Sequence, residues 1–182
     1  MAETPGDSNG YRTGEILITE DEIKKRAAEI GSEISEALAG EPVLIVGILK
    51  GAVLWMSDLI KHIKSPVRID FMAVSSYGAA TKTSGVVRII KDLDIAITGL
   101  NVIIVEDIVD SGVTLNYLRN ILLAREPKSL KICALLDKPA GRRAEIEADY
   151  VGFTVDDLFI IGYGLDVDQQ FRNLPYITYI ER

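Results

Sequence analysis

The chain has one cysteine and one histidine in 182 residues, and its lysines and arginines (20) are outnumbered by aspartates and glutamates (27). A single cysteine allows no internal disulfide. Cys133 stands in the apolar run LKICALLD, where a buried, inert thiol is expected rather than a nucleophile. The basic deficit leaves a net charge of -7. That sign opposes non-specific nucleic-acid binding, which draws on a basic surface to displace counterions. It leaves room for a small anion, because the field within one site can oppose the net charge. No apolar run approaches the roughly 20 residues that cross a bilayer, and no charged-then-apolar leader opens the chain. A cytoplasmic protein with neither a nucleic-acid nor a membrane partner is expected. His62 falls off the apolar stripe of its segment and reads as solvent-facing.

What is present suits an ordinary globular protein, with 48% hydrophobic and 26% charged residues. A chain of this length makes one domain and buries roughly 70% of the surface its unfolded form exposes. Residues 1–14, MAETPGDSNGYRTG, are polar and rich in Gly and Pro and read as a flexible arm. Thr19 and Glu22 have capping-box spacing, and Ile23, Ala27, Ile30, Ile34 and Leu38 follow at helical spacing towards Gly40. Residues 43–49, VLIVGIL, are apolar throughout, as in a strand covered on both faces. Ala52, Trp55, Met56, Leu59, Ile60 and Ile63 form one stripe, which predicts a helix over 52–63. VRIDFMAVSSY and VVRIIKDLD read as strands, with a mobile loop, GAATKTSG, between them. A strand at 102–106, a helix bearing Leu115, Leu118, Ile121 and Leu122, and the strand LKICALLD come next. A strand-rich remainder broken by Gly, Asp and Pro closes the chain. The alternation predicts an α/β fold, a mostly parallel central sheet flanked by helices, with its ligand beyond the carboxyl ends of the strands.

Three turns occupy that edge: LKG at 49–51, EDIVDSGVT at 106–114 and LDKPAGR at 136–142. In the second, Gly112 permits close backbone approach, Ser111 and Thr114 bring hydroxyls, and the helix-start amides, Val113 among them, favour an anion. An ordinary N-cap by Asp110 or Ser111 is the alternative. Glu106 and Asp107, two acids closing an apolar strand, are costly unless a cation or hydroxyls satisfy them. Because strand side chains alternate, the two need not converge.

Four hydrophobic residues, two acids, two hydrophobic residues, Asp and then small-Gly-X-Thr make up VIIVEDIVDSGVT. This segment resembles the 5-phosphoribosyl pyrophosphate (PRPP) motif of the purine phosphoribosyltransferases. GILKGAVLWMSDL, DFMAVSSYG, LLDKP, YVGF and GYGLDVDQQFRNLP stand in that family's order, so the resemblance spans nearly the whole chain from Ile16. LLDKP with GYGLD points to the 6-oxopurine, hypoxanthine-guanine branch. The resemblance implies a type I phosphoribosyltransferase fold over 15–182, with a small hood made of the N-terminal segment and about 150–182. It implies purine salvage: transfer of the phosphoribosyl group to N9 of hypoxanthine or guanine, giving IMP or GMP and pyrophosphate with Mg²⁺. A preference for xanthine, or a regulator that kept the fold and binds nucleotide or RNA, are the alternatives.

By the same resemblance, the amides and hydroxyls of 110–114 take the 5′-phosphate. Glu106 and Asp107 face the ribose hydroxyls, directly or through metal. Asp110 is the catalytic proton acceptor beside purine N7. Lys138 donates to O6, Phe159 stacks on the base, and Ile160 presents its backbone to the base edge. Asp166 holds a second Mg²⁺ at the base and pyrophosphate side. Arg172, Arg142 and the Lys50-Gly51 peptide, which can be cis in the family, bind pyrophosphate. Ser76 and Tyr77 belong to a lid, and a homodimer or homotetramer is implied.

Overall fold

The computed structural model describes residues 10–77 and 86–181. Helix α1 (Glu20–Leu38) opens with the capping box foreseen: the Glu22 amide donates to Thr19 Oγ1, and Glu22 Oε2 accepts from the Thr19 amide at 2.8 Å. Strand β1 (Val43–Leu49) leads into α2 (Val53–Leu59), which tightens to a 3-10 turn at Ile60–His62 instead of running on to residue 63 as a regular helix. Strands β2 (Val67–Tyr77) and β3 (Val86–Lys91) follow. The strand expected to run on through 92–94 stops at Lys91, where the Asp94 amide folds back onto Asp70 Oδ2 at 2.8 Å. Next are β4 (Asn101–Val109), α3 (Val113–Leu123), β5 (Ser129–Asp137), a 3-10 turn at Pro139–Gly141 and β6 (Tyr150–Thr154). A short ribbon, β7 (Ile160–Ile161) and β8 (Thr178–Tyr179), lies near the C-terminus.

The six-stranded sheet has the order β3-β2-β1-β4-β5-β6. Every neighbouring pair is parallel except the β2–β3 edge. The order in which strands are added to the sheet reverses between the parallel neighbours β1 and β4, so their carboxyl ends open a crevice where an α/β sheet takes its ligand. The apolar run of β1 has a simple cause. Val43 and Ile45 pack on one face with Ile30, Trp55 and Cys133, while Leu44 and Val46 pack on the other with Leu118 and Leu122. Burial pushes the Cys133 thiol up to about 12, as an inert core thiol requires. His62 is exposed, as expected. Among the described residues, no helix is long and apolar enough to cross a membrane.

Ile30, wholly buried between α1 and the sheet, tests the core. Ile30→Ala should lower stability by about 2–5 kcal/mol, a fall in Tm of about 2–4 °C for each kcal/mol in a chain of this size. Thermal unfolding followed by circular dichroism measures it.

The N-terminal segment runs against the ribbon. Thr13 bridges to Ile180 and Ile18 to Ile177, and the Gly14 amide donates to Tyr179 O at 2.8 Å. The arm expected over 1–14 is thus corrected at its inner end: backbone pairing with the C-terminal strand already holds Arg12 and Thr13, while residues 1–9 lie outside the described residues. Ser76 and Tyr77 close β2. Their side chains and the 78–85 segment, where the lid is expected, lie outside the described residues.

Candidate active site

Strand β4 continues past the expected 102–106 to Val109, which carries Glu106 and Asp107 in regular strand geometry. The chain then turns through Asp110, Ser111 and Gly112 into α3. Gly112 occupies the helix N-cap in the left-handed region (φ 73°), and no side chain caps the helix there. The nearest approach, from the Val113 amide to Ser111 Oγ at 3.5 Å, is too long to satisfy it. The ordinary-cap alternative therefore falls, and the first amides of α3 are left for an anion. A cavity of about 150 Å³ faces them, lined by Glu106, Asp110, Ser111, Gly112 and Thr114 among others. A Cβ on Gly112 would meet Ile146 Cγ2 at 2.5 Å, so the turn is closed to larger residues from behind. Amides of Arg143 and Ala144 donate to Ser111 O at 2.9 and 3.1 Å, and that of Lys138 to Val109 O at 3.0 Å. The loop after β5 thus clamps the loop after β4.

The two acids part company, as strand alternation allows. Glu106 turns into the cavity and is buried, and burial followed by the charge of Asp107 raises its carboxyl well above the ordinary range. Asp107 turns the other way, against Gly51, where a Cβ would fall 1.4 Å from Asp107 Oδ2. Burial raises the Asp107 carboxyl. The Ile108 amide and the charge of Arg172 oppose that rise, while Asp166 adds to it. Asp107 therefore shares a region with Asp166 and Arg172. Glu106, expected with them around metal, is not brought into that group.

Loop 49–51 reaches the same place. The cis peptide among the described residues is Leu49-Lys50, one bond before the Lys50-Gly51 peptide expected. Gly164 packs on it in turn, since at φ 99° its Cβ would lie 2.1 Å from Gly51 O. Arg172 Nη2 pairs with Asp166 Oδ1 at 2.6 Å, and its Nη1 donates to Gly164 O at 2.6 Å. Lys50 Nζ donates to Gln169 Oε1 at 3.0 Å, and the Gln169 amide to Asp166 Oδ2 at 2.8 Å. Lys50, Gly51, Asp107, Asp166 and Arg172 thus meet, although they come from three distant segments. Arg142 does not join them. Its guanidinium is turned inward and donates to Asp110 O at 3.1 Å, to Val109 O at 3.3 Å, to Ile146 O and to Asp137. The structure thus places Arg142, expected at pyrophosphate, apart from the other residues expected there, where it ties the loop after β5 to the loop after β4.

On the other side of the crevice, Lys138 Nζ lies 3.1 Å from Asp110 Oδ2. Gly141 lies behind Asp110, its Cβ position 1.8 Å from Oδ1. Burial pushes the Lys138 ammonium down, but Asp110 and Asp157 outweigh it and hold it above its ordinary value. Phe159 is 47% exposed, unusual for a large ring beside a buried strand. Ile180 N donates to Phe159 O at 2.9 Å. Alternation along the antiparallel ribbon then places Ile160 at a non-hydrogen-bonded position, with its backbone groups turned away from β8.

An uncapped helix start beside an acid-lined crevice, a lysine paired with an aspartate and an exposed ring together suit a sugar phosphate with a polar aromatic base. Residues 15–168 match the phosphoribosyl transferase domain family. A hypoxanthine-guanine phosphoribosyltransferase of Bacillus subtilis is 52% identical over 162 residues, 89% of this chain and 90% of its own length. The chain belongs to the phosphoribosyltransferase family. Other relatives of this phosphoribosyltransferase include the Mycobacterium bovis hypoxanthine-guanine phosphoribosyltransferase, 47% identical over 97% of this chain and 92% of that protein. Among solved structures, a Bacillus anthracis hypoxanthine-guanine phosphoribosyltransferase with HEPES in its active site superposes with a TM-score of 0.89 at 44% identity. That match covers 93% of this chain and 100% of the other. The sheet, its switch point and the flanking helices are those of the type I phosphoribosyltransferase fold.

Sequence reasoning missed several residues of this phosphoribosyltransferase's site. Asp157 pairs with Lys138 at 3.2 Å, Gln169 bridges Lys50 to Asp166, and Gly141 and Gly164 make room for Asp110 and Gly51. The two glycines carried a legible signal, each standing in a turn at the functional edge. Asp157 and Gln169 are ordinary loop residues in the sequence, and nothing there sets them apart.

Proposed function

We propose that this phosphoribosyltransferase transfers the 5-phosphoribosyl group of PRPP to N9 of hypoxanthine or guanine, forming IMP or GMP and pyrophosphate in purine salvage. The observation that carries the reading is the Asp110–Lys138 pair, 3.1 Å apart beside the uncapped start of α3. Purine N7 and O6 are neighbours on one edge of the base, so an acceptor and a donor side by side address both. A 6-amino group would meet Lys138 donor to donor and be rejected, because buried polar groups would be left unpaired.

In this reading the amides of 111–114 hold the 5′-phosphate, Glu106 and Asp107 face the ribose from opposite sides, and Lys50, Gly51 and Arg172 face pyrophosphate. Phe159 stacks on the base and Ile160 offers its backbone to the base edge. N9 attacks C1′ with inversion, the C1′–O bond to pyrophosphate breaks, and the proton leaving the base is taken by Asp110. Ser76 and Tyr77 are assigned to a lid that keeps water from the site.

Mg²⁺ fits these residues. The acids are oxygen donors without thiolate or imidazole, as magnesium prefers. Among the described residues no three metal-ligating side chains form a ready cage, and magnesium commonly takes one or two carboxylates and completes its shell with substrate phosphates and water. Asp107 and Asp166 would hold it, with Glu106 near the ribose, and bound Mg²⁺ would neutralise charge on the departing pyrophosphate. We also place the protein in the cytoplasm as a homodimer or homotetramer.

Nucleotide formation measured with PRPP, Mg²⁺ and each base in turn should show product from hypoxanthine or guanine and little from adenine. Turnover of adenine alone would overturn the role given to Lys138, and turnover of xanthine alone would move the enzyme to another branch.

A further inference from the structure

Lys138 has more negative charge around it than the reaction uses. Its ammonium lies 3.1 Å from Asp110 Oδ2, on the loop after β4, and 3.2 Å from Asp157 Oδ1, on the loop between β6 and β7. The lysine side chain is only 12% exposed, whereas that of Asp157 is 70% exposed. Between two exposed partners such a pair contributes little. Here one partner is largely withdrawn from water, where its charged form is disfavoured unless an anion faces it. The loop carrying Asp157 is tied to the end of β5, one residue before Lys138, since the Val155 amide donates to Asp137 O at 2.9 Å. A further turn bond, Leu158 N to Asp156 O at 2.8 Å, fixes the chain around Asp157. Among the described residues, the charged groups facing the ammonium are Asp110 and Asp157, because Asp137 beside it is engaged by Arg142.

We propose that Asp157 is a positioning residue for base recognition, holding the Lys138 ammonium aimed at the purine when the incoming base takes Asp110 away from it. The proposal rests on the reading that Lys138 donates to O6 of the base. Once N7 engages Asp110, a lysine facing Asp110 alone would keep only the neutral O6 as a partner. Asp157 supplies an acceptor that the base does not compete for. It stands two residues before Phe159, so one short segment sets both the lysine and the ring that flanks the base.

The test compares Asp157→Asn, Asp157→Glu and Lys138→Met with the parent enzyme. Lys138 reactivity towards an amine-directed reagent is measured on the free protein by mass spectrometry, and kinetics are measured with PRPP and Mg²⁺. Losing one opposing charge at a partly exposed site lowers the lysine pKa and frees its amine, so D157N should label about three- to tenfold faster. Its KM for hypoxanthine should rise about two- to fivefold with the KM for PRPP unchanged. D157E should restore both. Labelling and KM for hypoxanthine that stay at parental values in D157N overturn the proposal. So does a matching rise in the KM for PRPP, the mark of general loop damage. Lys138→Met separates the two layers. If it loses the preference for hypoxanthine over adenine while D157N is unaffected, only the role of Asp157 falls. If it keeps that preference, the reading of Lys138 falls and the proposal with it.

Discussion

Asp110→Asn should lower kcat by about 10²–10⁴, the usual contribution of a positioned acid or base, while the KM for PRPP changes little. The substitution preserves the shape of the side chain. Asn fits the space left by Gly141, whose missing Cβ makes room for Oδ1, and the turn into α3 depends on backbone bonds from 138, 143 and 144 rather than on this carboxylate. The amides expected to grip the 5′-phosphate are therefore left in place. What is lost is an acceptor for the proton that leaves the base as N9 bonds to C1′. A loss confined to the transition state lowers kcat and kcat/KM together. Steady-state kinetics with hypoxanthine as the varied substrate measure the first, and PRPP titration the second. An unchanged kcat would remove Asp110 from the chemistry. A rise in the KM for PRPP as large as the fall in kcat would make it a phosphate-loop residue instead.

The fold was legible in the sequence because its signals are local. The capping box at Thr19 and Glu22 and the strand-then-glycine pattern at 105–112 show within a few residues, and the burial of β1 on both faces shows in seven consecutive apolar residues although its packing partners are distant. The site was legible where a turn carries several of its residues in succession, as at 106–114. It failed where chemistry depends on partners distant in sequence. Arg142 follows Lys138 by four residues and looks equally available. Its donors are taken by Val109, Asp110 and Ile146 carbonyls and by Asp137, a count that only three dimensions reveal. Asp107 and Glu106 are neighbours in the sequence, yet alternation sends one to the Gly51 side and the other into the cavity. Lys138 and Asp157 are 19 positions apart on two loops, and their pairing follows from the parallel register of β5 and β6.

Glu106→Gln should make the free protein more stable at neutral pH and the enzyme worse. Glu106 is buried and has Asp107 as its neighbour, and both facts favour its protonated form. Its carboxyl in the folded protein therefore titrates above the range it occupies in the unfolded chain. Between those two values the native state binds more protons than the unfolded one, so stability falls as pH rises through that window. Asp107, raised by burial, adds to the same trend. A glutamine of the same shape carries no charge to desolvate, so the cost of burying an ionised carboxyl beside Asp107 is removed. Thermal unfolding at several pH values should show the Tm of the parent falling from mildly acidic to mildly alkaline pH, and that of E106Q falling less and lying higher at the alkaline end. Catalysis should move the other way. A hydrogen bond from a ribose hydroxyl to a carboxylate contributes about 1.5–3 kcal/mol, so kcat/KM for PRPP should drop roughly ten- to a hundredfold. Added PRPP with Mg²⁺ should accordingly raise the Tm of the parent more than that of the variant, because a ligand stabilises the native state according to its affinity. A variant that is less stable than the parent at alkaline pH would mean that the Glu106 carboxylate already has a partner in the free protein. A variant with undiminished PRPP use would take Glu106 out of the ribose site.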